Sequence, residues 1–224
     1  MDNISPATAI LQRTPMVSDI QSTSDSNTNA ACSGVLIVLV GPAGVGKNTI
    51  MQRAIAAVPQ LRQMPTATTR TARNNEQHGR EHWFVTREAF QSMIDADELL
   101  EYQEVHPGRF YGTPRQQIVE ALANQHDWLI ADIDIAGAAV LRKEFPEDAV
   151  LIFIEPPDLE TLHARMEARG QASEAEIQER LARVPREMAF AAECNYRVLN
   201  SDLDQAVQQV IDIIQAEALR RQCH

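Results

Sequence analysis

Residues 35–49 read VLIVLVGPAGVGKNT. Six apolar residues in unbroken succession, Val35–Val40, describe a strand buried on both faces, because a strand with one wet face would alternate apolar and polar residues. The glycines that follow, Gly41, Gly44 and Gly46, permit backbone conformations in which several N–H groups turn inward around an anion. Residues 48–58, NTIMQRAIAAV, then have helical spacing through Ile50, Ala54, Ile55 and Val58, and Pro59 stops the helix. A strand, a glycine-rich loop, a lysine and a helix form the context in which G-x-x-x-x-G-K-[ST] cradles phosphates. The helix N-terminus adds positive potential, and Lys47 reaches the outer phosphates of a nucleotide. Gly41, Pro42, Ala43, Gly44, Val45, Gly46, Lys47, Asn48 and Thr49 are the candidate loop. Asn48 stands where a hydroxyl residue is expected. Either its amide oxygen replaces the hydroxyl beside Mg²⁺, or Thr49 and ordered water support the metal while Asn48 caps the helix.

The rest of the composition bounds what such a site can serve. A chain of 224 residues forms one domain with room for small insertions. Hydrophobic residues at 44% supply a core, whereas aromatics at 5% argue against a carbohydrate- or base-stacking surface. A net charge of -11 opposes nucleic acid and acidic membranes, so an anionic ligand requires a local cluster of Lys and Arg. Cys32, Cys194 and Cys223 are odd in number, scattered and without CxxC spacing, which reads as reduced thiols in the cytoplasm. No apolar run approaches the ~20 residues of a membrane span. Residues 1–33 are rich in Ser, Thr, Asn and Asp, and have neither the basic start and apolar run of a signal peptide nor the Arg-rich pattern of a transit peptide. A disordered tail with no catalytic part is expected there.

Beyond the loop the pattern repeats. WLIADID (128–134) and AVLIFIEPP (149–157) are apolar runs followed by helical stretches, and YRVLN (196–200) leads into an apolar period over Leu203–Leu219. Strands alternating with helices predict an α/β fold, a central parallel sheet flanked by helices, with ligands at the carboxyl ends of the strands.

Three further segments carry more specific chemistry. They are TATTRTARNNEQHGREHWFV (66–85), ELLEYQEVHPGRFYGTPRQQI (98–118) and DIDIAGA (132–138). With the loop and the helical segment LHARMEARGQASEAEIQERLARV (162–184), these motifs resemble the guanylate kinases in order and spacing, over Val35 to about Ile214. GKNT itself is similar to nucleoside monophosphate kinases that place a small residue after the lysine and Thr next. The resemblance implies a P-loop kinase fold in residues 34–224: a core of 34–66 and 114–224, an inserted GMP-binding subdomain at about 67–113, and a helical lid at about 160–186. It implies that Arg70 and Arg73 grip the phosphate of GMP as bidentate donors, with Tyr111 and Thr66 beside them. Glu101 and Asp134 match carboxylates that accept from N1–H and N2–H₂ of guanine, and Thr113 matches a hydroxyl residue facing O6. Adenine offers no such donor pair.

On the ATP side the resemblance supplies Arg165, Arg169 and Arg180 from the lid and Asn200 against adenine, with Ser173 and Glu176 as a capping box. Without the other motifs, the lid arginines would read as a solvated helix face. The implied reaction is ATP + GMP to ADP + GDP with Mg²⁺, needing no general base because the attacking phosphate oxygen is already ionised. Lys47, Arg165, Arg169 and Arg180 would neutralise the transferred charge. Asp132 would hold the metal's water shell or serve only as a structural acceptor. ATP and GMP are the expected partners, with no nucleic acid, membrane or obligatory protein partner.

The chain departs from the family at several points. His82 falls where a phosphate-binding tyrosine is usual: either it binds the phosphate and GMP affinity weakens as pH rises through its pKa, or it points elsewhere and Arg70, Arg73 and Tyr111 suffice. Ala72 and Asn75 replace a Pro and a Gly, one extra residue precedes Tyr111, and Pro185 should bend the lid helix. His78, His106, His126, His163 and His224 show no ligand spacing. Two other readings stay open: a kinase of the same fold for a phosphorylated sugar such as ribose 1,5-bisphosphate, and an inactive protein-interaction module.

Overall fold

The computed structural model describes residues 34–73, 76–123, 128–168, 170 and 173–222. The expected tail at 1–33 lies outside these residues, as do Asn75, Arg169, Cys32, Cys223, His126 and His224. Five strands pair in parallel in the order β2-β7-β1-β8-β9: β1 (Val35–Val40), β2 (Leu61–Gln63), β7 (Trp128–Asp132), β8 (Ala149–Glu155) and β9 (Tyr196–Leu199). The central strand β1 is wholly buried, and its side chains divide by period two. Val35, Ile37 and Leu39 pack among residues of α1 (Lys47–Ala57), α5 (Leu159–Ala168), α6 (Glu174–Ala189) and α7 (Leu203–Gln222). Leu36, Val38 and Val40 pack among those of α3 (Arg115–Ala123) and α4 (Ile135–Glu144). Each such side chain contributes about 1.5–3 kcal/mol by leaving water, so the sheet's position is over-determined. The ends of β1 and β7 are thereby fixed, and the phosphate loop and Asp132 stand on them.

A second sheet of order β4-β3-β6-β5 is inserted between β2 and α3. It contains β3 (Thr66–Thr68), β4 (His82–Phe84), β5 (Leu99–His106) and β6 (Arg109–Pro114), with α2 (Arg87–Asp95) across it. Ala67, Phe90 and Leu99 form its own small core, with Trp83 and Phe110 against them. The β5–β6 register shifts twice, between Leu99 and Tyr102 and between Glu104 and His106. Tyr111 stays opposite Gln103. Among the described residues no helix is long and apolar enough to cross a membrane.

Candidate active site

The loop leaves β1 at Gly41, whose φ is 140° and where a Cβ would stand 2.3 Å from the Ile154 carbonyl oxygen. No side chain fits there, so the loop can close against β8 only with glycine. Gly46, at φ 105°, is the N-cap of α1 and makes no side-chain capping bond. Asn48 therefore lies past the cap and is exposed, so the expectation that it caps the helix is not met. Lys47 Nζ donates to the carbonyls of Gly41 at 2.7 Å and Pro42 at 3.3 Å, and lies 3.6 Å from Asp132 Oδ1 at the end of β7. The ammonium is folded over the mouth of its own loop, a position from which phosphate oxygens can draw it.

Asn200 follows β9 and is 2% exposed. Its Nδ2 donates to Val45 O at 2.7 Å, while its own carbonyl accepts from Arg165 Nη2 at 3.0 Å. Arg165 Nη1 also lies 3.5 Å from Val45 O, so both side chains brace the phosphate loop, and Asn200 Oδ1 is buried with no partner among the described residues. Gly44, Thr49, Arg165, Ala168, Asn200 and Leu203 line a cavity of about 280 Å³ beside the loop. Ser173 and Glu176 form the expected capping box of α6, which runs through Pro185 to Ala189, and Arg180 is half-buried on that helix.

The second sheet gathers Thr66, Arg70, His82 and Tyr111. Thr66 pairs with His82 across β3–β4, and Thr68 with Tyr111 across β3–β6, which brings the loop after β3 over both partners. Thr66 Oγ1 and His82 Nδ1 are 2.7 Å apart, and the His82 ring stands edge-on to Tyr111. Burial, and then the charge of Arg70, lower the His82 pKa. Arg70 does not offer the two-pronged grip that the resemblance implies. Its Nη1 and Nη2 both donate to the Glu76 carboxylate at 2.6 Å, and its Nε donates to Tyr111 Oη at 2.9 Å. The Arg70 bonds hold the Glu76 pKa down to about 2. Sequence reasoning passed over Glu76, although Arg70, Arg73 and Glu76 recur at intervals of three residues.

Some distance along the same sheet, Thr113 is fully buried and its hydroxyl donates to Glu101 Oε1 at 2.6 Å. That proton is committed to Glu101 and is not free for O6 of a base. Asp134 is the N-cap of α4, beyond the end of β7, and accepts from Gly137 N at 2.8 Å. A Cβ on Gly137 would lie 3.4 Å from Glu101 Cδ and 3.5 Å from Asp134 Oδ1, so the two carboxylates flank one small residue. Burial raises the Glu101 pKa against the Thr113 bond that lowers it, and the neighbouring Asp134 raises it further. Glu187 on α6, also passed over in the sequence, has a buried Oε2 with no hydrogen-bond partner among the described residues. Burial raises its pKa and the nearby Lys47 opposes the rise. Its lone acidic side chain on an amphipathic helix gave no signal.

A lysine-bearing phosphate loop on the central sheet is accompanied by a separate sheet that carries an arginine–tyrosine cluster and Glu101, the latter paired with Asp134 at the start of α4. The family model for guanylate kinase matches residues 33–217. The chain belongs to the guanylate kinase family. The guanylate kinase of Salinibacter ruber is 40% identical over 176 residues, 79% of this chain and 93% of that protein. That of Synechocystis sp. is 42% identical over 184 residues, covering 82% and 95% of the two chains. The crystal structure of guanylate kinase from Anaplasma phagocytophilum superimposes with a TM-score of 0.65 at 28% identity, over 84% of this chain and 87% of that one. Family membership thus agrees with the loop, the two sheets and their order along the chain.

Proposed function

We propose that the chain transfers the γ-phosphoryl group of ATP to GMP, giving ADP and GDP. The observation that carries this reading is the pairing around Gly137 of Glu101, on the sheet that bears Tyr111, with Asp134, at the N-cap of α4. Two acceptors side by side complement N1–H and N2–H₂ of guanine. A base without those donors would leave the half-buried Glu101 carboxylate short of a partner, which costs more than a missing apolar contact. In this reading the second sheet, within about 67–113, is the acceptor subdomain, and α5 with α6, within about 160–186, is the lid.

The GMP phosphate would bind between Arg73, Tyr111, Thr66 and His82, with the remaining N–H of Arg70 beside Tyr111. The loop N–H groups and Lys47 would hold the β- and γ-phosphates of ATP, with the nucleoside toward the cavity beside Asn200. The acceptor oxygen is ionised at neutral pH, so the chain need only align the two phosphates and neutralise charge on the group in flight. Lys47 is within reach of that path, and Arg180, Arg165 and Arg169 would complete it when the lid closes.

Asp132, Asn48 and Thr49 offer oxygen donors around Lys47, the hard ligand set that suits Mg²⁺. They would hold the ion through its water shell. When bound, Mg²⁺ supplies charge neutralisation on the β- and γ-phosphates. A net charge of -11 and a Cys194 thiol whose pKa burial pushes up to about 11 suit a reduced, cytoplasmic protein.

Separation of the nucleotides after incubation with ATP, Mg²⁺ and GMP tests the reaction. Equal amounts of ADP and GDP are expected. ATP consumption without GDP would overturn the proposal.

A further inference from the structure

We infer that Glu76 is a positioning residue for the acceptor phosphate, acting through Arg70 on Tyr111. The inference rests on the reading of the Arg70–Tyr111 cluster as the acceptor-phosphate site.

A guanidinium has five N–H donors. In Arg70 both terminal nitrogens donate to Glu76, one to each carboxylate oxygen at 2.6 Å. Nη1 also donates to Thr71 O at 2.9 Å, and Nε donates to Tyr111 Oη at 2.9 Å. Four donors are committed, and the fifth is the second hydrogen of Nη2. That hydrogen points along the lateral edge of the fork, parallel to Nε–H, because Nη2 is the nitrogen trans to Cδ. Glu76 therefore holds the end of the fork and leaves the lateral edge to Tyr111 and one anionic oxygen.

Tyr111 gains from this arrangement. Its hydroxyl oxygen accepts from Arg70, so its own proton is left to donate. An oxyanion beside it can take the Tyr111 O–H and the remaining Arg70 N–H together. Glu76 also accepts from the Arg73 backbone N–H at 2.8 Å, which fixes the turn carrying the second arginine. The Arg73 guanidinium is exposed and makes no hydrogen bond to a described residue. One carboxylate thus sets the angle of Arg70, the donor role of Tyr111 and the position of Arg73. The side chains of Arg70 and Glu76 are 9% and 16% exposed, so bulk water does not loosen the pair. A carboxylate lodged on an arginine could instead compete with the phosphate. The lateral edge argues otherwise, since Glu76 and an oxyanion at Tyr111 use different edges of the guanidinium.

The two roles have opposite signs, and steady-state kinetics of E76Q separates them. For a positioning residue, KM for GMP rises about tenfold or more, the scale of one charge-assisted hydrogen bond, while KM for ATP and kcat change little. E76D, which retains the charge, recovers part of the loss. A residue that only stabilises the fold would not couple to Tyr111, so Y111F is measured in both backgrounds. Its effect on KM for GMP shrinks toward unity in E76Q. A lower KM for GMP in E76Q, or Y111F and E76Q factors that simply multiply, would overturn the inference. GDP formation by the unaltered chain is recorded in the same assay. Its absence defeats the proposed function, whereas GDP formation with an unchanged KM in E76Q and E76D defeats only the role of Glu76.

Discussion

Thr113 and Glu101 meet through a 2.6 Å hydrogen bond in which the buried hydroxyl is the donor. The bond fixes one carboxylate oxygen and its rotamer, and leaves the group's remaining acceptor capacity for a base. Replacing Glu101 with Gln keeps the shape but puts an N–H₂ where an acceptor is needed. E101Q should therefore raise KM for GMP about 10- to 100-fold, with KM for ATP unchanged, the scale of losing a hydrogen bond to a charged acceptor. Steady-state kinetics with each nucleotide varied in turn checks this.

The raised pKa of Glu101 has a direction in pH. Guanine N–H donors need the ionised carboxylate, and burial favours the protonated form. KM for GMP should rise as pH falls toward that raised pKa, and the E101Q variant should lose this limb. A profile in which both enzymes rise equally at low pH would locate the titrating group elsewhere.

His82 works in the other direction. Burial and Arg70 lower its pKa, so its gain of charge is displaced toward acid. Protonation there should strengthen phosphate binding, and H82F should remove the part of the GMP profile that improves with acid. The phosphate's own second ionisation, near pH 6, is common to both proteins and cancels in the comparison.

Asn200 holds the phosphate loop through one buried bond to Val45 O. N200A removes that bond and leaves Val45 O only the 3.5 Å contact from Arg165 Nη1, and should cost about 0.5–1.5 kcal/mol of stability. It should raise KM for ATP while leaving KM for GMP unchanged. Thermal unfolding together with kinetics distinguishes this from general damage, which would move both constants.

The pair of Glu76 and Arg70 also leaves a signature in acid. The carboxyl pKa is depressed to about 2 by Arg70, so the stabilisation is fully present above its unfolded value of 4.5 and is lost as pH falls through about 2. The stability gap between the unaltered chain and E76Q should close over that window and stay constant from pH 5 to 8.

Much of the core was legible because a strand buried on both faces announces itself. Val35–Val40, Ala149–Glu155 and the run from Trp128 are continuous apolar segments, and the structure makes each a strand of the five-stranded sheet. The edge strand Leu61–Gln63 left no such mark, since three residues of mixed burial beside Pro59 look like a turn. The second sheet was equally quiet. Thr66–Thr68 and His82–Phe84 are short and half polar, and pairing with partners far along the chain makes them strands. At the site, residue identities could be read from the motifs, but their bonding could not. That Arg70 turns its fork to Glu76, and that Asn200 reaches back 155 residues to Val45, follow from the folded geometry alone.

The central claim is that Glu101 and Asp134 read guanine. The ratio of kcat/KM for GMP to that for AMP, measured on one preparation with ATP and Mg²⁺, tests it most directly. A site built on two carboxylates should favour GMP by a factor on the order of 10⁴. A ratio within about tenfold of unity, the scale that one apolar contact could produce, would contradict it.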